Sequence, residues 1–445
     1  MKHYKEILRL GAPILVGQLG MIVVGFADNI MVGRYSTEAL ASASFVNNLF
    51  NVVLFMCIGF TYGLTPLIGA LFARGDSPGI GATLRAGVRI NLVFSALLTI
   101  VMGVLYFYVD RLGQPDELLP LIRPYYLIYL AGIIPVTLFN VFAQWSYACR
   151  DTAMPMWIIL SANAVNVVGN YILIFGHFGA PELGLTGAGI STLLARVLCP
   201  AVIIAVYLLK RSNRRYHRQA GGGDVRHVSG RLIFGKSIPV SMQMAFESGS
   251  FTVAALMAGW LGKYELASFQ VIVIVGSLGF CVYYSMASAV SVLVANAAGH
   301  GDTRTERSVA WQGYHIMLVL AAVASIVFAV SGRHLFGLFS NDPKVIAMTA
   351  TLIIPLILYQ LGDATQITFA NALRGTGRVM PMLWIAFTAY IVIGIPASYL
   401  LGIASPLGIQ GIVYSFSASL FPAGAMFLYY FMDTTRRRRQ DAADT

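Results

Sequence analysis

Apolar stretches of 20 residues or more recur along the whole chain, separated by short polar interruptions. A helix needs about 20 apolar residues to cross a bilayer, whereas a barrel strand shows a shorter alternating signal. The pattern therefore predicts an all-α membrane bundle. Twelve spans are expected, at 7–32, 44–71, 86–109, 121–147, 155–177, 184–209, 233–261, 266–297, 309–331, 346–372, 379–402 and 408–432. Lys2 and Lys5 before the first run imitate a signal peptide, but that run holds Pro13, Gln18 and Asp28 and is too long for an h-region. It reads as the first span. The longest polar interruption, Lys210–Arg231, is basic and carries Gly221–Gly223, which predicts a flexible linker between two halves of six spans. The expected division is an N-lobe over 1–209, a linker over 210–231, a C-lobe over 232–435 and a basic tail over 436–445.

The halves repeat. GRYSTEALASASF at 33–45 resembles GKYELASFQ at 262–270, and ARGD at 73–76 resembles GHGD at 299–302. RDTAMPMW at 150–157 matches RGTGRVMPMLW at 374–384, and GLTGAG at 184–189 matches GIQG at 408–411. The offset stays between 224 and 229. Six spans is an even number, so the repeats share one orientation, a recurring transporter design.

Composition agrees: 57% of the 445 residues are hydrophobic, only 11% are charged, and the mean hydropathy is +0.73. Soluble domains run near a quarter charged. The net charge of +11 is mostly topology rather than a nucleic-acid surface. Twenty-three of the 30 basic residues fall on the side of the termini and linker, six on the other, and Arg196 lies within a span. The positive-inside rule then puts both termini in the cytoplasm of a cell-membrane protein. The Arg436–Arg439 run reads as a topology anchor that also reaches anionic lipid. Cys57, Cys149, Cys199 and Cys281 all lie in apolar segments and read as buried small hydrophobes. No HExxH, GxSxG or P-loop occurs, so an enzyme or an ATP-driven pump is not expected, nor is a cofactor.

Of 19 acidic residues, only Asp28, Glu247 and Asp363 lie well inside spans. In Thr351–Arg378, Tyr359, Asp363 and Gln366 follow i, i+4 and i+7, so they share one helical face. A carboxylate in hydrocarbon costs several kcal/mol on insertion scales, and such residues mark ion pathways. Without a spanning lysine to neutralise it, each takes up a proton or a cation, or is simply hydrogen-bonded in helix packing. Asn163, Asn166 and Asn170 form a stripe near Asp28, with Thr192 on the next span; interhelical amide bonding explains such a stripe equally well. Phe280, Tyr283, Tyr284 and Met286 read as ordinary packing.

FADNIMVGR at 26–34, AFES around Glu247, and YQLGDATQ with ALRGTGR in the tenth span resemble signatures of the multidrug and toxic compound extrusion (MATE) family, most closely its NorM-type branch. The resemblance covers nearly the whole chain. It implies a V-shaped fold of two pseudo-symmetric six-helix lobes, acting as a monomer. The implied activity is export of organic cations or xenobiotics by Na⁺ or H⁺ antiport, with no cofactor beyond the coupling ion. Glu247, Asp363 and Tyr359 match the family's C-lobe cation site, and Gln270 and Phe280 match further positions of that lobe. Asp28, Asn166 and Asn170 match the N-lobe proton site, where this chain has Asn170 at a position often occupied by Asp. The coupling is thereby tilted toward Glu247 and Asp363. A lipid-linked oligosaccharide flippase is the nearest alternative, and it should carry several cationic residues in its cavity rather than Arg196 alone. A polytopic transferase should show a large extracytoplasmic loop, which this chain lacks, and a receptor or scaffold leaves the three acids unexplained.

Overall fold

The structure is a computed structural model that describes residues 2–218, 229–337 and 342–441, and among them it is helical throughout, with no strand. Twelve helical segments occupy the predicted positions: α1 Lys2–Tyr35, α2 Thr37–Ala73, α3 Ser77–Tyr106, α4 Asp116–Ala148, α5 Ala153–Phe175, α6 Gly184–Leu209, α7 Gly230–Leu261, α8 Lys263–Gly299, α9 Thr303–Gly337, α10 Pro343–Ala350 plus Ile353–Gly375, α11 Met380–Gly402 and α12 Ile409–Asp441. Ten are long and apolar enough to cross a membrane, and the pair forming α10, bent by 54° at its break, makes eleven. The remaining helix, α7, is 32 residues long but too polar to meet the same measure. It carries Glu247. Of the predicted linker, 219–228 lie outside the described residues, as do 442–445 of the tail. The linker's first part is not loose coil: Arg214–Arg218 form a short helix, and Tyr216 is buried with its ring edge-on to Trp145 at 5.8 Å.

The outward faces are apolar. On α3, Val93, Leu97, Ile100 and Val104 are 69%, 57%, 63% and 54% exposed at i, i+4, i+7 and i+11. A stripe of that kind faces lipid, where backbone groups must be satisfied within the helix.

Two compact units emerge, Val16–Ser241 and Met1–Leu15 with Met242–Thr445. They do not follow the linear division at the linker, because α1 and α7 each give their first residues to the unit of the opposite half. The divisions fall just after Pro13 in α1 and Pro239 in α7. In the unit built mainly from the second half, Ile7 is fully buried and Tyr4 Oη lies 2.9 Å from His315 Nδ1.

The sequence repeat is also a repeat of turn chemistry within each unit. After α2, Gly75 adopts φ +72° and Asp76 N–H donates to Leu71 O; after α8, Gly301 adopts φ +73° and Asp302 N–H donates to Ala297 O. These are left-handed helix ends of the kind glycine favours. Each aspartate then caps the next helix, Asp76 Oδ1 accepting from Gly79 N–H and Asp302 Oδ1 from Thr305 N–H, both at 2.9 Å. Close approach recurs too. A Cβ on Gly187 would fall 2.4 Å from Leu173 O, and one on Gly411 would fall 1.8 Å from Leu401 O.

Candidate functional site

In the second-half unit, α10 presents Asp363, only 2% exposed, on the face it shares with Tyr359 and Gln366. Asp363 Oδ2 accepts no hydrogen bond. Glu247 of α7 is partly buried, and its charge acts directly on Asp363. Tyr359 interacts with both acids and is walled by Phe416 and Phe251, with ring centroids 5.9 and 6.3 Å away. Two further tyrosines join. Tyr390, on a π-helical stretch of α11, Phe387–Gly394, interacts electrostatically with Glu247, and its hydroxyl makes no hydrogen bond among the described residues. Such stretches are rare and concentrate at functional sites. Tyr283 of α8, 1% exposed, lies beside Asp363 with its hydroxyl unbonded. Gln360, one turn before Asp363, is fully buried with both amide atoms unpaired, and Gln366 Oε1 is likewise orphaned. Buried polar groups are nearly always paired, so this concentration of orphans points to a guest that pairs them.

No third acid joins Glu247 and Asp363, and among the described residues no group of three His, Cys, Asp or Glu comes together. A cation held here would meet two carboxylates plus neutral phenol and amide oxygens, a donor set for a hard ion.

The first-half unit has its own polar cluster. Asn170 Nδ2 donates to Asp28 Oδ1 at 2.5 Å. Asn166 spans Asp28 and Thr192. In the amide orientation that satisfies both ends, its nitrogen donates to Asp28 Oδ1 at 2.8 Å and its oxygen accepts from Thr192 Oγ1 at 3.2 Å. Asn163, the third member of the stripe, turns instead toward Gly20 of α1 and leaves its Nδ2 unbonded. The α4 helix, which aligns with α10, is satisfied internally: Gln144 Oε1 accepts from Thr65 at 2.7 Å, and Asn140 donates to Val136 O at 2.9 Å.

A family model described as MatE matches residues 13–172 and again 239–400, two copies whose starts are separated within the offset of the sequence repeat. The chain belongs to the MatE family. It resembles, over 100% of its length and 98% of the other's, a MATE protein solved in the bent conformation, with TM-score 0.89 at 17% identity. The eukaryotic MATE transporter AtDTX14 aligns at 0.88 with 19% identity, covering 99% of each chain. A multidrug resistance MATE family transporter of the MOP superfamily, in an outward-facing conformation, aligns at 0.84 with 17% identity over 98% of this chain and 96% of that one.

A MatE protein is a multi-pass membrane transporter of the efflux class, not an enzyme. Within this MatE chain, Glu247, Asp363 and Tyr359 come together, as do Asp28, Asn166, Asn170 and Thr192. Gln270 and Phe280 do not join the acids: Gln270 is exposed on α8, and Phe280 stacks on Tyr284 at 5.6 Å. Tyr283 was expected to be ordinary packing and instead borders Asp363. Tyr390 carried no sequence signal beyond being a tyrosine in mid-span, because its aim depends on the π-helical stretch.

Proposed function

We propose that the protein is a secondary active multidrug efflux transporter that exports organic cations in exchange for Na⁺ or H⁺ by alternating access. The observation that carries this reading is Asp363, a buried carboxylate in a span with one oxygen unbonded, sharing its site with a second acid and, among the described residues, no Lys or Arg. Burying an unpaired carboxylate is costly unless a proton or a cation accompanies it. The site is therefore a reversible acceptor. Outside, a cation or proton loads Glu247 and Asp363, with Tyr359 as a third oxygen; that loading displaces the drug, and unloading inside resets the cycle. A ligand shifts such an equilibrium only by binding one state better than the other, and the two acids supply that difference because their mutual repulsion is relieved by loading. Asp28, Asn166, Asn170 and Thr192 form a second polar site, whose single carboxylate is already hydrogen-bonded. The protein works as a monomer in the cytoplasmic membrane, with both termini in the cytoplasm, a topology supported by the distribution of Lys and Arg.

The test is efflux of a cationic dye from proteoliposomes under imposed Na⁺ or H⁺ gradients. Asp363→Asn and Glu247→Gln should each abolish gradient-driven efflux while dye binding persists. Coupled efflux that survived in both variants would overturn the reading, and the gradient that drives the wild type identifies the ion.

A further inference from the structure

The α11 helix changes its hydrogen-bond register beside the acids. Over Phe387–Gly394 its backbone bonds reach back five residues instead of four, and Ile395 N–H closes the stretch on Tyr390 O. Ordinary α-helix continues on both sides, at Met380–Ala386 and Ile395–Gly402. The stretch therefore holds an extra residue within one span. Pro396, directly after it, accounts for the change. In a four-residue register the proline ring crowds the carbonyl four residues back, that of Val392, and a widened turn relieves the crowding. Proline also lacks an N–H, so each register forfeits one bond. The five-residue register leaves Ile391 O without its donor, and the four-residue register does the same to Val392 O. The two registers thus lie closer in free energy than in a helix without Pro396.

The extra residue falls where it re-aims a side chain. Tyr390 is 2% exposed with its hydroxyl unbonded, and it interacts with Glu247, Asp363 and Tyr359. Phe387, at the start of the stretch, meets Phe246, the chain neighbour of Glu247, edge-on at 5.8 Å. Gly394, at its end, lets the widened turn pack, since a Cβ there would lie 3.2 Å from Ala389 O and 3.4 Å from Ser419 Cβ of α12. Val392 instead points outward and is 53% exposed. Successive residues of an α-helix stand about 100° apart, so moving the extra residue past Tyr390 swings its hydroxyl off the acids.

We propose that α11 is a two-register helix whose five-residue register positions Tyr390 at the Glu247–Asp363 site, and that the coupling ion holds it there. When the ion leaves, the extra residue shifts along α11 and Tyr390 turns away. An ion biases two such registers only by binding one of them better, and a phenol oxygen added to two carboxylates supplies that difference. This inference rests on the cation site proposed above and adds the device that moves one of its oxygen donors.

Deleting Val392 removes the extra residue without removing a packed side chain, and it leaves the four-residue register alone. Pro396→Ala restores the missing donor and favours the same register at full chain length. Each variant of the full-length protein is read in proteoliposomes by the concentration of the driving ion, Na⁺ or H⁺, that half-saturates dye efflux. Each should raise that concentration roughly tenfold, the loss expected from one hydrogen bond to a charged group. Adding Tyr390→Phe to either should raise it no further, because both changes remove the same contact. A 3-fluorotyrosine in place of Tyr390 should give a fluorine resonance that moves with the ion in the wild type and stays fixed in the deletion variant. Unchanged half-saturation in both variants overturns the inference. So do losses that add to that of Tyr390→Phe, or a wild-type resonance indifferent to the ion. If the deletion variant fails to fold, Pro396→Ala and the wild-type resonance decide. Asp363→Asn reads the cation site separately: ion-driven efflux lost there but untouched by the two α11 variants leaves that site standing and removes the register device alone.

Discussion

A tyrosine hydroxyl beside a buried carboxylate does two jobs: it stabilises the anion while the ion is absent and shares its oxygen when the ion arrives. Tyr390 lies beside the partly buried Glu247 with its hydroxyl unbonded, able to take up that role. Hydrogen bonds to charged groups contribute about 1.5–3 kcal/mol. Tyr390→Phe should therefore weaken coupling-ion affinity roughly tenfold or more, read as a rise in the ion concentration that half-saturates dye efflux. Tyr359→Phe should act in the same direction. The acids were legible in the sequence because a carboxylate in an apolar run is rare enough to be a signal by itself. Tyr390 and Tyr283 were not, since tyrosine is ordinary there and only tertiary placement aims it.

At the scale of elements, the repeated turns make the repeat testable one position at a time. Gly187→Ala and Gly411→Ala each drive a Cβ into a backbone carbonyl that cannot move aside as a side chain would. Each should destabilise by about 1–3 kcal/mol in thermal unfolding. Gly25→Ala, which meets nothing within 4 Å, is the control. The Asp302 cap gives a pH prediction. Hydrogen bonds from Thr305 hold its carboxyl below the ordinary range. Its contribution is complete above the ordinary carboxylate value and is lost as pH falls through the lowered one, so amide exchange at the start of α9 should quicken there. The basic tail also makes contacts within the protein. Arg438 pairs with the buried Glu306 at 3.3 Å and donates to Thr376 O at 2.6 Å, while Arg437 and Arg378 both bind Asp433 at 2.9 Å. A run expected to act as a topology anchor touching lipid has two of its members tied into protein. Arg438→Ala leaves Glu306 without its partner and should cost about 1–3 kcal/mol. Replacing both with leucine should recover much of that loss.

For the whole molecule, the positions of the helices were readable because hydrocarbon thickness imposes a length on each span, although ten, or eleven with the bent pair, meet that length and apolarity against the twelve expected. The break in α10 and the π-helical stretch in α11 were not, since both keep the chain apolar while changing its path. The membership of the two units was also hidden, because apolar runs carry no mark of which neighbour they pack against. Deleting residues 2–12 tests that membership. The removed segment holds Tyr4, Ile7 and Gly11, the last packed on Met286, all within the second-half unit. Limited proteolysis should then speed up within 242–445 rather than within 16–241.

Because α1 opens in one unit and α7 opens in the other, neither unit is built from its own half of the chain alone. Tyr4 leaves the ribosome 311 residues before His315. At about 5–20 residues per second, that is a wait of roughly 15–60 s. During that interval the start of α1 lacks the partners it will bury against. A chain cut between residues 219 and 228 would yield two fragments, each missing a piece of its own unit. Made separately they should aggregate or be degraded, and made together in one cell they should restore each other and the efflux.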